Sequence, residues 1–228
     1  MRFAKRYRFV IMLFLLALLC GGVIVRGTSE PFLTTYAGML SHAILRYAFM
    51  MLVLFADYLF YTSMHVTGYI MRKKSFLQCE TSLFCKESVL VAILCIVMQV
   101  PALLWKGELY VQNLYMMFAL LVAVYIHALF IIAIIKVVNA FVEKRSTACI
   151  VTFVLYGVID IFFMALVSMG VIPDMIQLSV LFVLPVVMDN WWLPIAVQVL
   201  LTMFLSISAL QYRCEHMGYM PGDEHEET

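Results

Sequence analysis

The sequence predicts an all-α protein, a polytopic membrane helix bundle of six transmembrane helices with a re-entrant or interfacial element between helices five and six. Three observations predict it. The 228 residues are 65% hydrophobic and 13% charged, with a mean hydropathy of +1.01, far from the balance of a soluble domain. Apolar stretches recur at the length of about 20 residues that a helix needs to cross a hydrocarbon core about 30 Å thick. Twelve of the fifteen Lys and Arg residues fall at the N-terminus, in alternate connections, or after the last span.

The spans are expected at about 9–25, 47–70, 89–105, 114–136, 147–170 and 192–212, followed by a disordered acidic tail over 213–228. Arg2, Lys5, Arg6 and Arg8 precede the first, and Arg72, Lys73, Lys74 and Lys86 lie between the second and third. Lys136, Lys144 and Arg145 separate the fourth and fifth, Arg213 follows the sixth, and the other connections hold Arg26, Arg46 and Lys106. Basic residues in short loops stay on the cytoplasmic side. The expectation is therefore a multi-pass protein of the cell (cytoplasmic) membrane with both termini cytoplasmic. No connection is long enough for a soluble catalytic or nucleotide-binding domain.

The N-terminus resembles a secretory signal, with basic residues and then an apolar run, but the run continues through Cys20, Gly21, Gly22 and Val25 with no small-residue cleavage site. It reads as an uncleaved first span. The segment from Gly27 to Ser41 carries Pro31 and reads as an outer loop lying along the interface. Lys106, Gly107 and Glu108, framed by Trp105 and Tyr110, form a short outer link, so spans three and four make a tight hairpin.

The segment from Arg72 to Glu87 is more unusual. As a helix it gathers Phe76, Leu77, Leu83 and Phe84 on one face and Gln78, Glu80, Thr81 and Lys86 on the other. Such a helix lies on the lipid surface or enters a partner's groove. Between spans five and six, Met175 to Met188 is apolar but short, interrupted by Pro185 and bracketed by Pro173, Asp174, Asp189 and Asn190. With Trp191, Trp192 and Pro194 it reads as a broken element on the outer side. The competing reading makes it a seventh span and puts the C-terminus outside.

Four ionisable residues fall inside the expected spans: Asp57 and His65 in the second, His127 in the fourth and Asp160 in the fifth. A carboxylate at the bilayer centre costs about 2.5–3.5 kcal/mol on insertion scales, so it faces a partner or a cavity. The four residues form either a proton relay or hydrogen bonds between helices that fix packing, and packing is the preferred reading. The seventeen methionines are scattered and read as packing residues rather than copper ligands. Cys79 and Cys85, the closest cysteine pair, match no zinc or redox spacing. No metalloprotease or nucleophile-elbow signature occurs, so nothing in the sequence supports an enzyme.

One junction carries a family likeness. Asp57 and Tyr58 inside span two are followed by Tyr69-Ile70-Met71-Arg72-Lys73-Lys74, an amphipathic stretch and the next span. This order resembles the small six-helix permease subunits of bacterial efflux-type (type-2 class) ABC transporters, which include bacteriocin self-protection and drug-resistance permeases. The resemblance implies a first cytoplasmic loop that docks on an ATPase, here Arg72, Lys73, Lys74, Phe76, Leu77, Glu80, Leu83 and Phe84. It also implies a broken outer element before helix six. The short N-terminus departs from the family, leaving little room for its interfacial helix before span one.

On this resemblance the chain is expected to be the permease half of an exporter of an amphipathic peptide, lipid or drug. It binds no cofactor, ATP being bound by the partner subunit. The expected partners are an ABC ATPase, a second permease copy in a homo- or heterodimer, and the bilayer, with no nucleic acid. The rivals are a stand-alone transporter coupled to protons through Asp57, Asp160 and His127, and a non-transporting assembly subunit.

Overall fold

The computed structural model describes residues 2–29, 31–64, 76–142, 144–171 and 192–217. Within them the protein is a bundle of α-helices: α1 (Arg2–Arg26), α2 (Phe32–Ser41), α3 (Ala43–Met64), α4 (Phe76–Trp105), α5 (Gly107–Gln112), α6 (Leu114–Phe141), α7 (Arg145–Ser168) and α8 (Trp192–Met217). The helix ends follow local chemistry. Pro31 stands immediately before α2, where a missing N–H costs nothing. Gly170 beyond α7 adopts φ +70°, a conformation that closes helices and suits glycine.

Among the described residues five helices are long and apolar enough to cross a membrane, or six if the α2–α3 pair, bent by 59°, is one broken span. The bundle is inverted relative to a soluble protein. On α7, Ile150, Val154, Val158, Ile161 and Phe162 are exposed, whereas Arg145, Thr152, Tyr156 and Asp160 are buried. The spacing of these four residues keeps them on one helical face. Polar groups inside and apolar groups outside are what a hydrocarbon solvent requires.

Side-chain contacts give the helix directions. Arg46 on α3 meets Asp160 late on α7, and Asp57 late on α3 meets Arg145 at the start of α7, so these two helices are antiparallel. Glu87 on α4 meets Lys136 late on α6, and Gln99 meets Met117 early on α6, so these are antiparallel too. α8 runs parallel to α6, with Gln198 beside His127 and Tyr212 beside Phe141. α1 runs parallel to α4, and a Cβ on Gly21 would overlap the Met98 carbonyl oxygen. Small residues at such crossings let membrane helices approach to backbone contact.

Consequently α1 begins, and α8 ends, at the end of the bundle that holds Lys136, Lys144 and Arg145, here called the basic end. The end of α7 and the start of α8 both lie at the opposite, far end. That places Val171 and Trp192 at one end of the bundle, which favours six spans over the seven of the competing reading. Pro173, Pro185, Trp191 and the apolar run 175–188 lie outside the described residues.

Several expected boundaries need correction. Gly27–Ser41 is not merely a loop, because it contains α2, whose Tyr36 and Ala37 are fully buried. Span three was expected to begin at 89, after a separate amphipathic helix, but α4 runs unbroken from Phe76. No Pro or Gly interrupts 76–100, so nothing stops the helix from continuing into the span. α6 reaches Phe141 rather than 136, and α8 reaches Met217 rather than 212, taking five residues from the expected tail. Residues 65–70 of span two and 218–228 lie outside the described residues.

Candidate functional site

Three polar layers cross the apolar interior, and α7 contributes to each. At the basic end, the Arg145 guanidinium donates through Nε to Asp57 Oδ2 at 2.9 Å and through Nη2 to Asp57 Oδ1. Beside this pair, Lys136 Nζ stands 3.4 Å from Glu87 Oε2 and 4.7 Å from the centre of the Phe84 ring. Asp57 and Arg145 are close enough to act electrostatically on Glu87. Two acids and two bases, one from each of α3, α4, α6 and α7, thus form a buried cluster of zero formal charge. Charges in such an environment are tolerated only when paired and hydrogen-bonded.

In the middle, His127 on α6 bonds Tyr156 Oη on α7 through Nε2 at 2.9 Å and Gln198 Nε2 on α8 through Nδ1 at 2.8 Å. Both ring nitrogens are engaged by neutral partners, so the imidazole ties three helices together. At the far layer, Arg46 donates from Nη1 and Nη2 to the two Asp160 oxygens, each at 3.0 Å. Tyr47 Oη donates to Asp160 Oδ2 at 2.9 Å. The Tyr47 ring meets Tyr156 edge-on, with centroids 6.2 Å apart, and so links the far layer to the middle one.

The residues expected to act together are distributed across these layers. Asp57 and Asp160 are both buried, but they lie about 22 Å apart along α7, judged by the rise from Arg145 to Asp160. Each is held bidentately by an arginine, the strongest common form of carboxylate pairing. Among the described residues Asp57 and Asp160 thus sit in separate layers, and His65 lies outside the described residues. In the expected coupling segment, Leu83 and Phe84 are half-buried. Phe76, Leu77 and Glu80 are placed by backbone on α4, as Trp192 and Pro194 are on α8, while Arg72, Lys73 and Lys74 lie outside the described residues.

Arg46, Arg145, Glu87 and Lys136 were not singled out as site residues. Arg145 and Lys136 read as loop charges that set topology, yet their side chains turn inward. A signal was present for Arg46, one of only three basic residues on the wrong side of the charge pattern. Each intramembrane Asp called for a partner or a cavity, and Arg46 stood just before the second expected span.

Among the described residues, apolar furrows open on the sides of the bundle. One lies between α4 and α8 with α6 as its floor, in two adjoining parts of about 230 and 380 Å³ that share Phe84, Ser206 and Ile207. The other, of about 270 Å³, lies between α3 and α7 around Phe55, Cys149 and Phe153. Among the described residues, no three His, Cys, Asp or Glu side chains gather as a metal site. No family model, no curated protein and no solved structure matches this chain.

Proposed function

We infer that this chain is the membrane permease half of an ABC exporter, energised by a separate ATPase that acts on the start of α4. The observation that carries this reading is the continuity of α4. At 30 residues it is about 45 Å long, against a hydrocarbon core of about 30 Å. Its first turns therefore extend beyond the bilayer as a rigid continuation of the span. Glu87, on the same helix, sits in the charge cluster with Asp57, Lys136 and Arg145. A push on the Phe76 end is passed to α3, α6 and α7 through that cluster, which is the connected two-partner element that coupling requires.

The pairing of Asp57 and Asp160 with arginines also speaks for an external energy source. Both oxygens of each carboxylate are engaged by a guanidinium, so the two acids serve to join α3 to α7. The substrate class is amphipathic, because the walls of both furrows are apolar. By the positive-inside rule the basic end is cytoplasmic.

Photo-crosslinking in living cells tests the docking surface. A photoreactive residue at Phe76 or Leu77 is expected to capture a nucleotide-binding subunit. Capture of lipid alone would count against the reading.

A further inference from the structure

The furrow between α4 and α8 has features the export reading does not use. It extends along α6 from Lys136 to Ile126, ten residues or about 15 Å of helix. That is half of a hydrocarbon core about 30 Å thick, the depth of one leaflet. Its walls are apolar, from Phe84, Leu129, Met203 and Ile207. Among the described residues, its one charged lining group is Lys136, at the basic end. The Lys136 ammonium carries three N–H donors. Glu87 and the Phe84 ring face it from within, and its side chain remains 12% exposed. The two parts of the furrow hold about 230 and 380 Å³. A helix some 10 Å across running the furrow's length would occupy about 1,200 Å³, so the furrow accepts a hydrocarbon chain more readily than a partner helix.

We propose that the α4–α8 furrow is a binding site for an anionic phospholipid of the leaflet at the basic end, with an acyl chain along α6 and its phosphate at Lys136. The cation at the mouth selects for negative charge, and the furrow length matches the chain to one leaflet. A bound lipid would fill the space between α8 and α4 and hold α8 in place.

The test uses the full chain in mild detergent with added phosphatidylglycerol or phosphatidylcholine of identical acyl chains. Retained lipid is read by native mass spectrometry, and labelling of Cys85, which lines the furrow and is exposed, by peptide mass. Phosphatidylglycerol is expected to be retained about fivefold better and to slow labelling at Cys85. Ser206→Phe, which fills the furrow, should abolish both effects. Lys136→Gln should remove the preference for phosphatidylglycerol, whereas Glu87→Gln, which frees the ammonium, should strengthen it. The Lys136→Gln/Glu87→Gln double variant, in which no buried charge is left unpaired, should behave like Lys136→Gln. Equal retention of the two lipids, or a shift in the same direction for Lys136→Gln and Glu87→Gln, would overturn the proposal. So would protection of Cys85 by a second copy of the chain without lipid.

Discussion

Arg46 donates two hydrogen bonds of 3.0 Å to Asp160, 114 positions away in sequence, across the α3–α7 contact. The same two helices meet again in Arg145 and Asp57 with the roles exchanged. Each helix carries an arginine near its start and an aspartate further on, so antiparallel packing satisfies both pairs together. Sliding one helix past the other by a turn, about 5.4 Å, would break both. The arrangement specifies direction and register between two helices whose apolar surfaces specify neither.

The first consequence concerns charge exchange. Asp160→Asn strands a buried guanidinium, and loss of one partner of a buried pair costs about 3–5 kcal/mol. A clear fall in the thermal midpoint of the detergent-purified protein is expected. The exchanged pair Arg46→Asp/Asp160→Arg should recover part of it. An unchanged midpoint in the single variant would show that the pair does not hold the helices.

The two arginine–aspartate pairs should behave as independent sites. They are about 22 Å apart along α7, well beyond the 7–10 Å within which mutations usually couple. Stability losses from Asp57→Asn and Asp160→Asn are expected to add. Asp57→Asn and Lys136→Met share the basic-end cluster, so their combined loss should differ from the sum of the two. A full set of single and double variants, followed by thermal unfolding, would measure both.

His127 joins α6 to α8 through Gln198. Hydrogen bonds between membrane helices are worth on average about 0.6 kcal/mol and at most about 1.7. A double-mutant cycle with His127→Phe and Gln198→Leu should give a coupling in that range. A coupling of zero would mean that apolar packing alone seats α8.

Helix directions make a topological prediction. Cysteines placed at Lys106 and Val171 should react with a membrane-impermeant reagent from one side, and one placed at Lys144 from the other. With the basic end cytoplasmic, the first two label in intact cells. Reactivity of Val171→Cys and Lys144→Cys from the same side would refute the helix directions given by the side-chain contacts.

Much of this architecture was legible in the sequence, because membrane crossing depends on length and hydropathy, which a linear reading captures. Leu114–Ile135 is apolar but for His127, and its helix begins where it was expected. The exact extent of α4 was less legible. The change from amphipathic to apolar composition near Ser88 looked like a boundary, but backbone geometry responds to breakers, and none lies between Phe76 and Val100. α2 was missed because ten residues are too few to span, and its burial depends on α3 and α6 packing around Tyr36. Asp57 and Asp160 were recognised as needing partners. Which arginine each finds is set by how α3 and α7 cross, and that is fixed by the whole bundle. Arg145 was hidden by the charge rule itself, since a residue at a helix start serves topology and pairing at once.

The most direct test of the proposed role is purification of the tagged protein from its native cells in mild detergent, with identification of what accompanies it. A stoichiometric ATPase is expected, and it should be lost when Arg72, Lys73 and Lys74 are replaced while the bundle remains folded. A solitary protein under several mild conditions, with transport that fails when Asp57 is changed to Asn, would contradict the ATPase-driven reading.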